Sequence, residues 1–230
     1  MTHYTYLLID FLSVIVCFIF SFDKRIRFNV YFGPFLKAAA LVAAPFIAWD
    51  IWFTAKGIWW FNGDYTIGLN LLGLPVEEWL FFFCIPFSCV FTFFCLDRFT
   101  RINPGGRVNA AVSWLAILVC FPVAIIYHDR WYPFVTALTT GIAVLYLHFV
   151  ARAAWIGKAS LAYIILMPGF FLVNGLLTGT ALASPVVNYN PAQILNIRLL
   201  TIPVEDFVYG YALFVLNIHF FQLFSKKNNS

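Results

Sequence analysis

Four carboxyl groups stand at two matching places in this chain. Pro75 Val76 Glu77 Glu78 returns as Pro203 Val204 Glu205 Asp206, 203 − 75 = 128 positions later, and each copy opens a long apolar run. Ionisable side chains within or at the edge of a bilayer are costly, so their presence there marks a place where function is expected. A carboxyl group withdrawn from water and set beside another acid keeps its proton, because desolvation and a like charge both disfavour the ionised form. Such a group is a Brønsted acid, and a second carboxylate within reach can take the proton back. Neighbouring residues on a helix point about 100° apart, so one member of each pair is expected to face any given cavity. Glu77 and Glu205 are the expected pocket-facing members, with Glu78 and Asp206 left open by spacing alone. The other member of each pair would orient a partner or pair with Arg198.

A plainer reading of the motif exists. Proline suits the first helical position, and acids suit the first turn, where the helix dipole favours negative charge. Two doubled copies in a charge-poor chain, each after a loop rich in aromatic and amide side chains, favour function over punctuation. In the first copy, Trp49 Asp50 leads through Gly57 to Trp60 Phe61 Asn62 Gly63. In the second, Asn174 Gly175 leads through Gly179 to Pro185 and on to Asn188 Tyr189 Asn190. Asp50 and Asn174 fall in the same depth layer as the motifs and are candidate supporting groups, with Trp60, Asn188 and Arg198 as candidate binding residues. Asn174 could equally be an interhelical hydrogen-bond former. Asp10, Asn217 and His219 are further polar groups inside apolar runs. His219 reads as a packing residue, since no second His or Cys sits at ligand spacing.

The elements that must position these groups follow from composition. The 230 residues are 63% hydrophobic and 10% charged, with a mean hydropathy of +0.87, well above the make-up of soluble domains. Apolar stretches of about 20 residues suit a ~30 Å hydrocarbon core. They run from Tyr4 to Phe22, Pro34 to Ala55, Val76 to Leu96, Ala110 to Tyr127, Trp131 to Val150, Leu161 to Ala181 and Val204 to Phe224. The expected fold is an all-α integral membrane domain of seven transmembrane helices over residues 1–230. Two parallel three-helix repeats, 1–100 and 131–230, would be joined by a central helix in 101–130, since an offset of four spans keeps both units the same way up.

The first span lacks a basic leader and cleavage site and carries Asp10, so it reads as retained. Basic residues hold short loops on the cytoplasmic side. Lys24, Arg25, Arg27, Lys37, Arg98, Arg101, Arg107, Arg152, Lys158, Lys226 and Lys227 lie on one side, against Lys56, Arg130 and Arg198 on the other. That places the N-terminus outside and the C-terminus in the cytoplasm, in what is expected to be a bacterial inner membrane. The net charge of +4 then reflects topology, and no nucleic-acid partner is implied. Cys17, Cys84, Cys89, Cys95 and Cys120 fall inside apolar spans at neither disulfide nor metal spacing and read as packing residues. No glycine-rich phosphate or dinucleotide motif is present, so neither cofactor nor metal is expected.

Aromatic residues make up 20% of the chain, and Trp49, Trp52, Trp59, Trp60, Trp79 and Trp131 crowd the expected outer layer. Aromatic belts form at any membrane interface. Ring faces also stabilise cations, so carboxylic acids among Trp and Phe would suit a reaction that forms a carbocation away from water. Three other classes compete. A proton-coupled transporter would hold acids at broken helices near the midplane, whereas these lie at the membrane edge. A retinal-binding photoreceptor needs a lysine in the last span, and Val204–Phe224 has none. A non-catalytic carotenoid-binding membrane protein would share an apolar aromatic groove.

The run Asn174 Gly175 Leu176 Leu177 Thr178 Gly179, then Pro185 to Asn190, Arg198 and Thr201 Ile202 Pro203 Val204 Glu205 Asp206 Phe207, closely resembles the membrane lycopene cyclases. Trp49 Asp50, Trp60 Phe61 and Leu74 Pro75 Val76 Glu77 Glu78 resemble that family's matching half. The family occurs as two small subunits, as a fused pair, and as the cyclase half of a bifunctional fungal phytoene synthase; near-complete coverage makes this chain resemble the fused form. The resemblance implies a lycopene beta-cyclase, an isomerase of the intramolecular lyase type in carotenoid biosynthesis. It would turn the ψ end groups of lycopene into β-rings, giving γ-carotene and then β-carotene without net redox change. It also implies acid and base roles for Glu77, Glu78, Glu205 and Asp206, one pocket shared by both halves, and a carotenoid substrate taken from membrane lipid, with other carotenoid enzymes as partners. Near relatives make ε-rings, cyclise one end, or act on C50 substrates.

Overall fold

In hydrocarbon the backbone polar groups of an apolar run have no partners but each other, so the run coils into a helix. A computed structural model describes residues 2–227, with helices α1 Thr5–Phe20, α2 Phe32–Ala55, α3 Val76–Phe99, α4 Gly105–Ile126, α5 Trp131–Leu145, α6 Ile156–Leu177 and α7 Val204–Lys227. A single π turn, Tyr146–Val150, continues α5. Six of these stretches are long and apolar enough to cross a membrane. The seventh, α1, has 16 residues, about 24 Å at 1.5 Å per residue. It stops short of the span expected to reach Phe22 because beyond Ser21 the bonds tighten to three-residue turns, Phe22 N–H on Ile19 O and Asp23 N–H on Phe20 O.

α3 and α7 sit side by side at the centre. α1 lies against α3 and α5 against α7, while α2 packs on both central helices, and so does α6. α4 touches α5 and α6 from outside and turns Leu115, Leu118 and Ile125 away from the bundle. Away from the acid motifs the core is aromatic. Fully buried Phe28 stands amid the rings of Phe87, Phe91, Phe94 and Phe221, with centroids 5.1–5.7 Å away.

The loops before α3 and α7 hold short strands that an all-helical reading omits. β1 Trp59–Phe61 pairs antiparallel with β4 Val187–Tyr189, with Trp60 opposite Asn188. The ladder continues on both sides, where Asn62 N–H donates to Val186 O and Asn190 N–H to Ile58 O, each at 2.8 Å. β2 Asn70–Leu71 and β3 Leu74–Pro75 form a hairpin that runs into α3, and β5 Arg198–Leu199 and β6 Ile202–Pro203 form one that runs into α7. Val76 N–H bonds Leu69 O at 2.9 Å, and Val204 N–H bonds Ile197 O at 3.0 Å. Backbone groups near an apolar layer must be paired, and these ladders pair them where the helices have not yet begun.

Replacing Phe28 by alanine would open a cavity among four rings and cost about 3–5 kcal/mol. The expected outcome is a lower unfolding temperature of the purified protein in detergent, read by circular dichroism.

Candidate active site

The acid motifs begin where extended chain becomes helix. Pro75 is extended, with φ −62° and ψ 147°, and α3 starts at the next residue. The first acid of each motif then turns back to the loop it came from. Glu77 Oε1 accepts the Ile67 N–H at 2.7 Å, and Glu205 Oε1 accepts the Leu195 N–H at 2.5 Å, each ten residues upstream. Both carboxyls are buried, and neither lines the cavity beside them. The expectation that Glu77 and Glu205 face the pocket is therefore reversed. Their loops capture them, and the 100° step of the helix carries Glu78 and Asp206 into the cavity instead.

The cavity has a volume of about 100 Å³, and its wall is mostly apolar. Asp50, Glu78 and Asp206 are the carboxyl groups that line it. Tyr6 on α1 donates its hydroxyl to Glu78 Oε2 at 2.5 Å. Tyr132 on α5 donates to Asp206 Oδ1 at 2.6 Å, and Tyr189 on β4 donates to Asp206 Oδ2 at 2.9 Å. The Tyr132 and Tyr189 rings stack with centroids 5.8 Å apart. Burial, followed by the neighbouring Asp206, pushes the Tyr189 hydroxyl well above the usual tyrosine range, so it remains a donor at any physiological pH.

Asp50 enters from α2, 2% exposed, and its carboxyl lies within hydrogen-bonding reach of Glu78. The Trp59 indole N–H is buried beside the Asp50 carboxyl. Two carboxyl groups in contact form a hydrogen bond only when one carries a proton, since an ionised carboxylate has no donor. The site therefore contrasts a carboxyl–carboxyl contact at Glu78 with a double acceptor at Asp206.

Asn174 also lines the cavity, whereas Trp60, Asn188 and Arg198 do not. Trp60 and Asn188 sit at the centre of the β1–β4 ladder, where side chains alternate between faces. Their neighbours Trp59, Phe61, Val187 and Tyr189 take the cavity side, and Trp60 is exposed. Arg198 is exposed on its hairpin, donates to Thr201 O at 2.5 Å, and lies 5.6 Å from the Tyr189 ring centroid. The ion pair found among the described residues is Lys158–Asp97, so Arg198 does not pair with a motif acid. His219 packs against Tyr146 and Phe220 at 5.5 and 5.1 Å. Asp10 is buried one turn below Tyr6, with neither carboxyl oxygen hydrogen-bonded.

Sequence reasoning missed the tyrosines. The signal was faint: Tyr6 precedes Glu78 by 72 residues and Tyr132 precedes Asp206 by 74, so laying the two motif copies over each other sets Tyr6 on Phe134, two positions past Tyr132.

The long apolar helices are those of a membrane protein, and they gather acids, tyrosine hydroxyls and aromatic rings around one apolar cavity. The chain belongs to the lycopene cyclase family, whose sequence model matches residues 3–96 and 129–224. It is 51% identical over 47 residues to proteins named lycopene beta-cyclase from two strains of Halobacterium salinarum, over 20% of this chain and 20% of each relative. The match thus spans about one fifth of the length of these curated relatives. No solved structure matches the chain significantly.

The two acids of each motif should separate on substitution. Glu77→Gln keeps a side-chain oxygen for the Ile67 N–H and should leave stability nearly unchanged, whereas Glu77→Ala orphans that donor at a cost of about 1–3 kcal/mol. Thermal melts of both variants in detergent check this, and Glu205 should behave alike toward Leu195.

Proposed function

We propose that this protein is a lycopene cyclase that closes β-rings on the linear ends of its substrate by acid-initiated, non-redox cyclisation. The observation that carries the reading is the placing of Glu78 and Asp206 on one apolar cavity, from different helices and with different hydrogen-bond surroundings. Glu78, in contact with Asp50, is the proton donor. It protonates C2 of the terminal C1=C2 bond, leaving a tertiary cation at C1. The C5=C6 π electrons then form the C1–C6 bond, and the charge moves to C5. Loss of the C6 proton restores a C5=C6 double bond inside the ring. Asp206, an acceptor from Tyr132 and Tyr189, is the base that collects this proton, and one proton enters for each that leaves.

The walls suit the intermediate. Trp59, Phe61, Phe81 and Tyr209 present rings to the cavity, and aromatic faces stabilise a cation that no anion yet neutralises. The scarcity of polar wall atoms protects that cation from capture by water.

The reading extends to architecture. Seven spans in two parallel three-helix units, with α4 as joiner, are supported by hydrogen bonds that recur at matching positions: Ile67 to Glu77 and Leu195 to Glu205, and Asn62 to Val186 and Asn190 to Ile58. Two stretches of the chain match the family. On this reading the N-terminus and both motifs lie on the outer side, and the C-terminus lies in the cytoplasm, in accord with the distribution of Lys and Arg. The substrate comes from membrane lipid.

Expression in cells that accumulate lycopene, followed by chromatography of the pigments, tests the function. Cyclic products are expected, and unchanged lycopene beside folded protein would overturn the reading. Glu78→Gln and Asp206→Asn should each lower turnover at least about a hundredfold, the usual worth of a positioned acid or base. Tyr132→Phe combined with Tyr189→Phe should slow turnover without abolishing it.

A further inference from the structure

The cavity continues away from its acids along one helix. On α6 its wall runs from Leu177 at the acid end to Tyr163, 14 residues or about 21 Å along the axis. Facing it are Ile85 and Cys89 of α3 and Gly210 and Phe214 of α7. Across from α6, α2 contributes Asp50 to the wall and nothing deeper.

Burial separates the two sides. Between Tyr163 and Asn174 no residue of α6 is fully buried. The matching stretch of α2, 128 positions earlier, buries Phe35, Ala38, Ala39, Val42, Ala43 and Phe46. Over this stretch α2 is sealed against α3 and α7, while α6 meets α7 through the half-buried rings of Tyr163, Phe170 and Phe171. Gly210 adds to the contrast, since a Cβ there would come within 2.8 Å of the Tyr163 hydroxyl and 3.2 Å of the Phe170 ring. α6 touches α7 there and again where the Tyr163 ring meets Phe214 and the Phe170 ring meets Phe207, and the cavity wall runs past these contacts.

From this geometry we propose that the α3–α6–α7 crevice is the subsite that takes the substrate sideways from the bilayer and holds its unreacted polyene chain while one end group reaches Glu78 and Asp206. The proposal rests on the cyclase reading for the identity of the occupant. A hydrocarbon is the occupant the wall fits. The Tyr163 hydroxyl is already spent on Phe207 O at 2.8 Å, and Ile85, Phe170, Leu213 and Phe214 offer no hydrogen bond. The crevice is continuous with the acid pocket, so a linear chain can lie in it with its terminal alkene at the carboxyls. With one such opening, the two ends of a long substrate use the same acids in turn, and the chain must leave and reverse between them.

Bulk placed in the crevice tests this. Ile85→Trp and Phe170→Trp should lower kcat/KM for lycopene in proteoliposomes by at least about tenfold, as misplacement of a reacting group does. Ile164→Trp and Leu172→Trp, on the lipid-facing side of α6, should stay within about twofold, as surface changes do. Equal losses at all four positions would overturn the proposal. A second measurement does not depend on the tryptophan variants folding. In a Glu78→Gln protein with Cys17, Cys84, Cys95 and Cys120 replaced by alanine, a membrane-permeant maleimide should label Cys89 more slowly in vesicles containing lycopene than in vesicles without it. Equal labelling rates would overturn the crevice. A wild-type protein that leaves lycopene unconverted would remove the cyclase reading and leave the labelling result to decide the crevice alone.

Discussion

A loop N–H held by the first carboxyl of each motif sets the rotation of the two central helices. Ile67 on Glu77 and Leu195 on Glu205 tie each loop to the first turn of the helix that follows it. With that residue fixed, the next one can point in only one direction. Glu78 and Asp206 reach the cavity because their predecessors do not. The clamp also draws the β2–β3 and β5–β6 hairpins close over the helix starts, where the strand ladders satisfy the remaining backbone groups. A doubled acid at a helix start thus divides labour between holding the fold and facing the pocket.

Within that shared frame the two motifs differ in what surrounds the inner carboxyl. Each places a tyrosine from a flanking helix on its inner carboxyl, Tyr6 on Glu78 and Tyr132 on Asp206. Beyond that point they part. Asp206 receives a second hydroxyl from Tyr189, whereas Glu78 meets Asp50. On the proposed reading, an acid and a base would arise from one pattern by changing the neighbour of the carboxyl and leaving its place alone. The buried groups outside the cavity follow a different logic: Phe28 and its ring cluster hold the far end of the bundle together and take no part in the pocket.

The long helices were legible because membrane helices announce themselves through uninterrupted apolar length, and Pro75 and Pro203 marked the starts of α3 and α7 to the residue. Asp50 and Asn174 were legible as polar breaks in such runs. Which acid faces inward was not, because adjacent helical positions differ only in angle and the deciding contact comes from a loop N–H ten residues away. The strands escaped notice since two or three residues carry no readable alternation. Trp60 and Asn188 drew attention by their type, but the ladder turns both away from the cavity and gives that face to Trp59 and Tyr189. Tyr6 and Tyr132 were invisible singly, for a lone tyrosine in an aromatic-rich chain has no special weight.

The crevice beside α6 has a thermodynamic consequence. A crevice that takes its substrate from the bilayer, as proposed, would be filled by acyl chains beforehand, and lipid tails are as apolar as the Ile85, Leu213 and Phe214 side chains of its wall. Binding then exchanges one hydrocarbon for another, and the dehydration that drives most ligand association in water contributes nothing. Occupancy follows the mole fraction of substrate in the membrane and the fit of a stiff chain against flexible ones. On the proposed reading, discrimination among carotenoids would fall to the end group and its encounter with the carboxyls.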